Sequence, residues 1–394
     1  MKILMVIPYI SSVYGGTSKV VKELTQSMSN LRAEIDIITT DANGFLKLNL
    51  PLRTWIKEDS YKVQYFPCWH KYDFIISFYL IKWLFKNIKN YDLIHINTLF
   101  SPVVLLTYWV CQIFQIPYVV TPHGMLEPWA LSYKRWKKQL YFNLLEKPSL
   151  KQATAIHLLA SSEANNVKLM GLSHPVIIPN GIHCQEFEKL PDPDIFYQEF
   201  PQTRNKSLIL FLGRIDPKKG LDLLAPAFAT VHQQFPNTHL VIAGPDSIGF
   251  LPTVQNYFTE VGCLDAVTFT GMLGGALKLA ALAAASIYVA PSYSEGFSMS
   301  VLEGMASGLP CVITTGCNFP EAERARAAYI VNIEAEAIAN ALIECLSHPL
   351  EAKAMGDRAR QLVLGKYTWE QSAIKMIQVY DAIIQQQPIP TLES

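Results

Sequence analysis

A chain of 394 residues, half of them hydrophobic, is long enough for two domains with sizeable cores, and global disorder is excluded. Basic and acidic residues balance at 33 each, which argues against a general nucleic-acid binder. The balance is uneven along the chain: residues 1–180 hold 19 of the 33 basic residues but only 11 of the 33 acidic ones, a bias that suits an anionic membrane surface, an anionic acceptor or an ordinary solvated face.

Lys2–Pro8 reads as a first strand rather than a leader peptide. A loop through Gly15-Gly16 follows, then a helix from about Ser18 to Ser29. Two glycines let backbone approach a phosphate, although such a pair is more often only a turn. The pattern is not GxGxxG, so a nicotinamide dehydrogenase is disfavoured. Glu34–Thr39 and Leu93–Asn97 read as strands. Trp69–Lys89 and Tyr133–Lys138 interleave aromatic and basic residues, which fits a membrane interface as well as it fits core helices with a basic outer face. Leu99–Val120 is strongly apolar but contains Pro102, Gln112, Gln115 and Pro117, and reads as a buried helix. Tyr118–Thr121 is a strand that delivers His123-Gly124 to a loop, where the imidazole either hydrogen-bonds a substrate or caps a turn. Ala155–Leu158 and Val176–Ile178 complete the series, and Asn180-Gly181 marks the crossing to a second domain. Gly181–Lys206 is expected to be a linker, and Asp192-Pro193-Asp194 within it a solvated acidic turn rather than a metal site.

The strand–helix rhythm restarts at Leu208–Leu212 and continues through His239–Ala243, Val267–Thr270, Ile287–Ala290 and Cys311–Thr314. Two doubly wound α/β domains are implied, with ligands expected at the carboxyl ends of the strands. Gly213-Arg214, followed by Lys219-Gly220, offers a planar cation and a point charge that could neutralise a pyrophosphate. The run from Pro291 to Glu303 sets Glu295 on a strand-to-helix turn and Glu303 within the helix. Gly296, Phe297 and Ser298 lie between them, where uncapped N–H groups would face an anion. A phosphate flanked by two polyol-binding carboxylates is what a sugar nucleotide needs. The loop from Thr314 to Glu321 could cover the donor sugar. Seven cysteines without a CxxC pair read as reduced thiols of a cytosolic protein, and no Cys/His cluster has metal-ligand spacing.

With these residues in order, the chain resembles the GT-B retaining glycosyltransferases of family 4 over nearly its whole length. The pairing of the Glu295/Glu303 spacing with the Gly-Arg…Lys-Gly element carries most of that resemblance. It implies two Rossmann-like doubly wound domains facing each other across a cleft. Residues 1–190 would form the acceptor side, completed by a helix at about 370–386, and residues 191–369 the nucleotide-sugar side. The resemblance further implies that Arg214 and Lys219 bind the donor diphosphate, Glu303 the ribose hydroxyls and Glu295 a hydroxyl of the donor sugar. His123 would touch the transferred sugar, Gly15 and Gly16 with Asn180 would line the site, and backbone near Met272 would hold the base. His123, Arg214, Lys219 and Glu295 are the expected catalytic residues. Ser298, His183 and Cys317-Asn318-Phe319 depart from the family's usual pattern and bear on sugar selectivity.

The expected activity is metal-independent transfer of a hexose, with retention, from a UDP-glucose-like donor to a glycan or lipid-linked saccharide acceptor in polysaccharide synthesis. No cofactor, no metal and no nucleic acid is expected; peripheral contact with the cytoplasmic membrane face is. The alternatives are a GT-B sugar-nucleotide epimerase, which would need acid–base carboxylates at the reacting carbons, and a non-catalytic sugar-nucleotide-binding protein.

Overall fold

The structure, a computed structural model, describes residues 1–31, 33–71, 74–127 and 139–391. It divides into two compact units, Met1–Asn180 with Trp369–Ser394 and Gly181–Thr368.

The first unit is built on an eight-stranded sheet. Its strands are β1 (Lys2–Val6), β2 (Glu34–Thr40), β3 (Trp55–Lys57), β4 (Lys62–Phe66), β5 (Leu93–Asn97), β6 (Tyr118–Thr121), β7 (Ala155–Leu158) and β8 (Pro175–Ile177). The spatial order is β8-β7-β6-β5-β1-β2-β4-β3, parallel throughout except for β3 against β4. Central strands buried on both faces read as continuous apolar runs, and Ile3–Val6 is fully buried. Chain order reverses between β1 and β5, the position where an open α/β sheet forms a crevice at its carboxyl edge. Helices α1 (Gly16–Asn30), α2 (Phe78–Asn87), α3 (Pro102–Phe114) and α4 (Ser161–Leu169) cover the faces. The helix expected from about Ser18 begins at Gly16, directly after the glycine turn.

The second unit holds a parallel six-stranded sheet of β9 (Ser207–Leu212), β10 (Thr238–Ala243), β11 (Val267–Gly271), β12 (Ile287–Ala290), β13 (Cys311–Thr314) and β14 (Tyr329–Val331). Its order is β11-β10-β9-β12-β13-β14, with the reversal between β9 and β12. Helices α5 (Leu221–Gln234), α6 (Gly275–Ala284), α7 (Met299–Ala306), α8 (Ala335–Ser347) and α9 (Pro349–Lys366) pack around it. The last helix, α10 (Trp369–Ile384), belongs to the first unit and packs on α1.

Two expectations are corrected. Gly181–Lys206 is not an irregular linker: it forms helices Cys184–Glu188 and Asp194–Glu199 and a 3-10 turn at Pro201–Thr203, with Phe187 and Phe196 fully buried. Two isolated aromatics give too short a period to announce themselves in sequence. Of Trp69–Lys89, read as either a membrane interface or core helices with a basic outer face, only the second half is helical. Trp69–Lys71 and Phe74–Ile76 pair as an antiparallel hairpin, and α2 follows, its first turn capped by Leu80 N–H donating to Ser77 Oγ at 3.2 Å. The second aromatic-basic segment, Tyr133–Lys138, lies outside the described residues.

Candidate active site

In the second unit, three post-strand loops converge at the β9/β12 reversal. Tyr293 N–H donates to Lys218 O at 2.8 Å, and Glu295 N–H to Gly316 O at 2.7 Å. Thr314 Oγ1 donates to Ser292 O at 2.5 Å, and the Asn318 amide to Glu295 O at 2.6 Å. Glycine permits this closeness. A Cβ on Gly220, whose φ is +70°, would lie 2.0 Å from Pro291 O, and one on Gly316 would lie 2.3 Å from Ser292 O. Ala substitution at either would force the loops apart.

The loops place charges together. Lys219 Nζ donates to Glu295 Oε1 at 2.5 Å, and Ser292 Oγ donates to the same oxygen at 2.7 Å. Burial pushes the Glu295 carboxyl up, but Lys219, Lys218 and the Ser292 hydroxyl overcome it and hold the group below the ordinary glutamate value. Lys218 is pulled down by burial and by its cationic neighbours Lys219 and Arg214, against the raising effect of Glu295. Arg214 lies 3.7 Å from Asp216 and keeps about a third of its side chain exposed. Arg214, Lys218 and Lys219 thus outnumber Glu295 and Asp216 by one charge. The nearby α7 starts after Ser298 with no side-chain cap, so its leading N–H groups add positive potential. Such a place accepts an anion.

Further along α7, Glu303 Oε1 is 2.7 Å from Lys278 Nζ of α6, both side chains being largely buried. Gly304 sits against the Tyr288 ring, where a Cβ would approach to 2.6 Å, and so seats α7 on β12. Phe297 packs between Phe319 (5.2 Å) and Tyr367 (5.6 Å), which commits its side chain to packing and leaves its backbone beside Gly296. Met272, after β11, is exposed.

In the first unit the carboxyl ends of β1, β5 and β6 present Gly15-Gly16, Asn97 and His123. Gly15 has φ +74° and leads into α1 without a side-chain cap; a Cβ on Gly16 would meet nothing within 4 Å. His123 and Gly124 are both left-handed, at φ 52° and 76°. His123 Nε2 is 2.9 Å from Asn97 Oδ1. Burial and the proximity of His157 lower its pKa to about 3. Behind it runs a buried polar chain. His157 Nε2 meets Ile178 O at 2.8 Å, His157 Nδ1 meets Thr121 Oγ1 at 2.8 Å, His95 Nε2 meets Thr121 Oγ1 at 2.5 Å, and His95 Nδ1 meets the Tyr380 hydroxyl. A carbonyl only accepts, so with both imidazoles neutral the protons run one way: Tyr380 donates to His95, His95 to Thr121, Thr121 to His157, and His157 to Ile178 O. Burial favours this neutral arrangement, lowering the pKa of both imidazoles.

The structure brings Arg214, Lys219, Glu295, Gly296 and Ser298 together in one unit with Glu303 on the adjoining helix, and Gly15, Gly16 and His123 at neighbouring strand ends of the other. Asn180 is buried at the end of the first unit. Lys218, Lys278, Ser292 and Asn97 were missed. Lys278 had a signal, as the one charge in the otherwise apolar helix Gly275–Ala284. Asp192-Pro193-Asp194 is the acidic turn expected, with Asp194 N–H donating to Asp192 Oδ1 at 2.9 Å and Asp194 paired to Arg204. Among the described residues no group of three or more His, Cys, Asp and Glu has metal-binding geometry.

Residues 14–186 match the family described as Glycosyltransferase Family 4, and residues 194–362 that described as Glycosyl transferases group 1. The chain is 23% identical over 389 residues to the phosphatidyl-myo-inositol mannosyltransferase of Mycobacterium leprae, covering 97% of each. It is 25% identical over 211 residues to a GDP-mannose-dependent alpha-(1-6)-phosphatidylinositol monomannoside mannosyltransferase of Mycolicibacterium smegmatis. There it covers 51% of this chain and 55% of that protein, so the match spans about half of that relative. Among solved structures, HepE of Anabaena in complex with UDP and glucose superposes with a TM-score of 0.77 at 16% identity, covering 97% of this chain and 100% of that one.

Proposed function

The chain belongs to the GT-B glycosyltransferases of family 4, and from that premise we propose that it moves a hexose, with retention, from a nucleoside-diphosphate sugar to a lipid-linked saccharide. The observation that carries this reading is the grouping of Arg214, Lys218, Lys219 and Glu295 at the β9/β12 reversal. Departure of the diphosphate from an oxocarbenium-like transition state concentrates negative charge on its oxygens. Fixed cations and the α7 N-terminus meet that charge without reorganising. Glu295, kept ionised, is suited to accept from a sugar hydroxyl, and Glu303 from the ribose. Neither is assigned as a nucleophile; front-face attack, with the leaving phosphate taking the acceptor proton, fits these roles. UDP-glucose is the first donor to test, and GDP-mannose the second because of the relative above. Steady release of UDP or GDP with a labelled glycolipid product supports the reading, and failure of both donors to bind opposes it.

Because protein cations take the place of a divalent ion in this scheme, turnover should persist in excess EDTA. Full loss restored by manganese or magnesium would contradict it.

A lipid-linked acceptor is supported by the outer face of the first unit. Trp69, Phe74, Phe78, Tyr79 and Phe85 are exposed, and Lys71, Lys82, Lys86 and Lys89 stand among them. No described helix is long and apolar enough to cross a membrane. Co-sedimentation with anionic vesicles at low salt, weakening as salt rises, is expected. Equal absence of binding to anionic and neutral vesicles would remove membrane contact from the scheme.

A further inference from the structure

Valence accounting at β5 fixes what His123 can bind. Asn97 is buried, and its Nδ2 donates to His95 O at 3.4 Å. That carbonyl cannot donate, so the amide nitrogen must face it and Oδ1 must face His123. Oδ1 can only accept. The proton of the neutral imidazole therefore sits on Nε2, 2.9 Å away. Nδ1 is left with a lone pair and has no partner among the described residues.

We infer that Asn97 is a positioning residue that makes His123 a hydrogen-bond acceptor, so that the group bound against Nδ1 is a hydroxyl and not a phosphate. This deepens the donor-sugar reading and rests on it for the identity of the hydroxyl. A diphosphate, acceptor-only and anionic, would find no donor on Nδ1; a sugar hydroxyl would. The charged and titratable groups around the imidazole reinforce neutrality. Burial lowers the pKa of His123, of His157 on β7 and of His95 on β5 alike, and a charge on any one of the three disfavours a charge on its neighbours. Glu163 of α4, raised to about 7 by burial, takes the Gly124 N–H, and Glu127, raised by burial, is bonded by the Asn166 amide at 3.1 Å. No ion pair joins either glutamate to His123 among the described residues.

The test is nitrogen NMR of the full-length protein labelled at histidine, with His123→Gln assigning the resonance. The expected result is the Nε2-protonated neutral tautomer at every pH from about 5 to 8. The Nδ1-protonated tautomer, or an imidazolium at neutral pH, would overturn the inference, and neither outcome depends on whether the donor or acceptor has been identified. Asn97→Asp supplies a counter-charge and should raise the His123 pKa. Donor turnover by that variant should then fall as pH falls, while the wild type stays flat. Asn97→Leu should lower kcat/KM by about tenfold, the worth of one positioned hydrogen bond. With monodeoxy donors, the hydroxyl whose removal slows the wild type should matter much less in Asn97→Leu. A full deoxy penalty in that variant, with the wild-type tautomer intact, would assign Asn97 to folding alone and defeat the proposal.

Discussion

Arg214→Ala should reduce turnover by about two to three orders of magnitude with little change in folding, because a fixed cation on the leaving group is worth a few kcal/mol in the transition state. The side chain is partly exposed and its 3.7 Å pair with Asp216 is loose, so removing it leaves no buried charge behind. Lys219 differs. Its pair with Glu295 is tight and nearly dry, with side-chain exposures of 13% and 9%. Lys219→Ala would leave a buried carboxylate beside only Lys218 and Ser292, so lost activity could reflect lost structure. The double variant Lys219→Met with Glu295→Gln removes both charges and should fold, yet remain at least as impaired as Arg214→Ala. Near-normal turnover in Arg214→Ala or in the folded double variant, measured as nucleotide release, would remove the diphosphate assignment.

Acidification should loosen the first unit below about pH 4.5, through the histidine chain. His157 titrates near 4 in the fold because burial outweighs its bond to Ile178 O, against an ordinary 6.5. A group neutral in the fold and protonated in the unfolded chain contributes stability above its unfolded pKa and loses it as pH falls toward the folded one. For His157 that loss is about 3 kcal/mol. His95 and His123 shift in the same direction. Glu146 and Glu163, both raised to about 7 by burial, act oppositely between about pH 7 and 4.5, since the folded state there holds their protons more tightly. The two effects offset until the glutamates are protonated in both states. Below that the histidines act alone. Hydrogen exchange in urea over peptides spanning β5 to β7 should show protection dropping between pH 4.5 and 3. His157→Gln, which can still accept from Thr121 and donate to Ile178 O, should flatten the pH slope by nearly one proton, about 1.4 kcal/mol per pH unit, between about pH 6 and 4.5, and by progressively less as pH falls through 4, where the folded His157 itself takes up a proton. An unchanged slope would mean the chain is not titrating.

The fold was legible where apolar runs were long. β1, β5, β6, β9 and β12 fall where the sequence placed them, because parallel strands buried on both faces carry unbroken hydrophobic stretches. β3 and β4 were not legible: Trp55–Lys57 and Lys62–Phe66 are short and near the sheet edge, and their charged residues mask the alternation. Cys184–Glu188 and Asp194–Glu199 are likewise held by single buried aromatics. The residues expected to bind donor announced themselves through glycine and charge at strand ends. Their partners did not. Asn97 and Ser292 are ordinary polar residues whose roles depend on hydrogen-bond direction, which only coordinates reveal. Lys278 of α6 meets Glu303, midway along α7, across 25 positions of chain, a pairing that only the fold creates.

The central claim is that the cation cluster of the second unit grips the diphosphate of a sugar nucleotide. Calorimetric titration of the intact protein with UDP and GDP, and with uridine and guanosine as controls, tests it most directly. One diphosphate should bind in EDTA, its affinity falling at least tenfold in Arg214→Ala, while the matching nucleoside binds far more weakly and is indifferent to that change. Equal binding of nucleotide and nucleoside, or a diphosphate affinity untouched by Arg214→Ala, would contradict it.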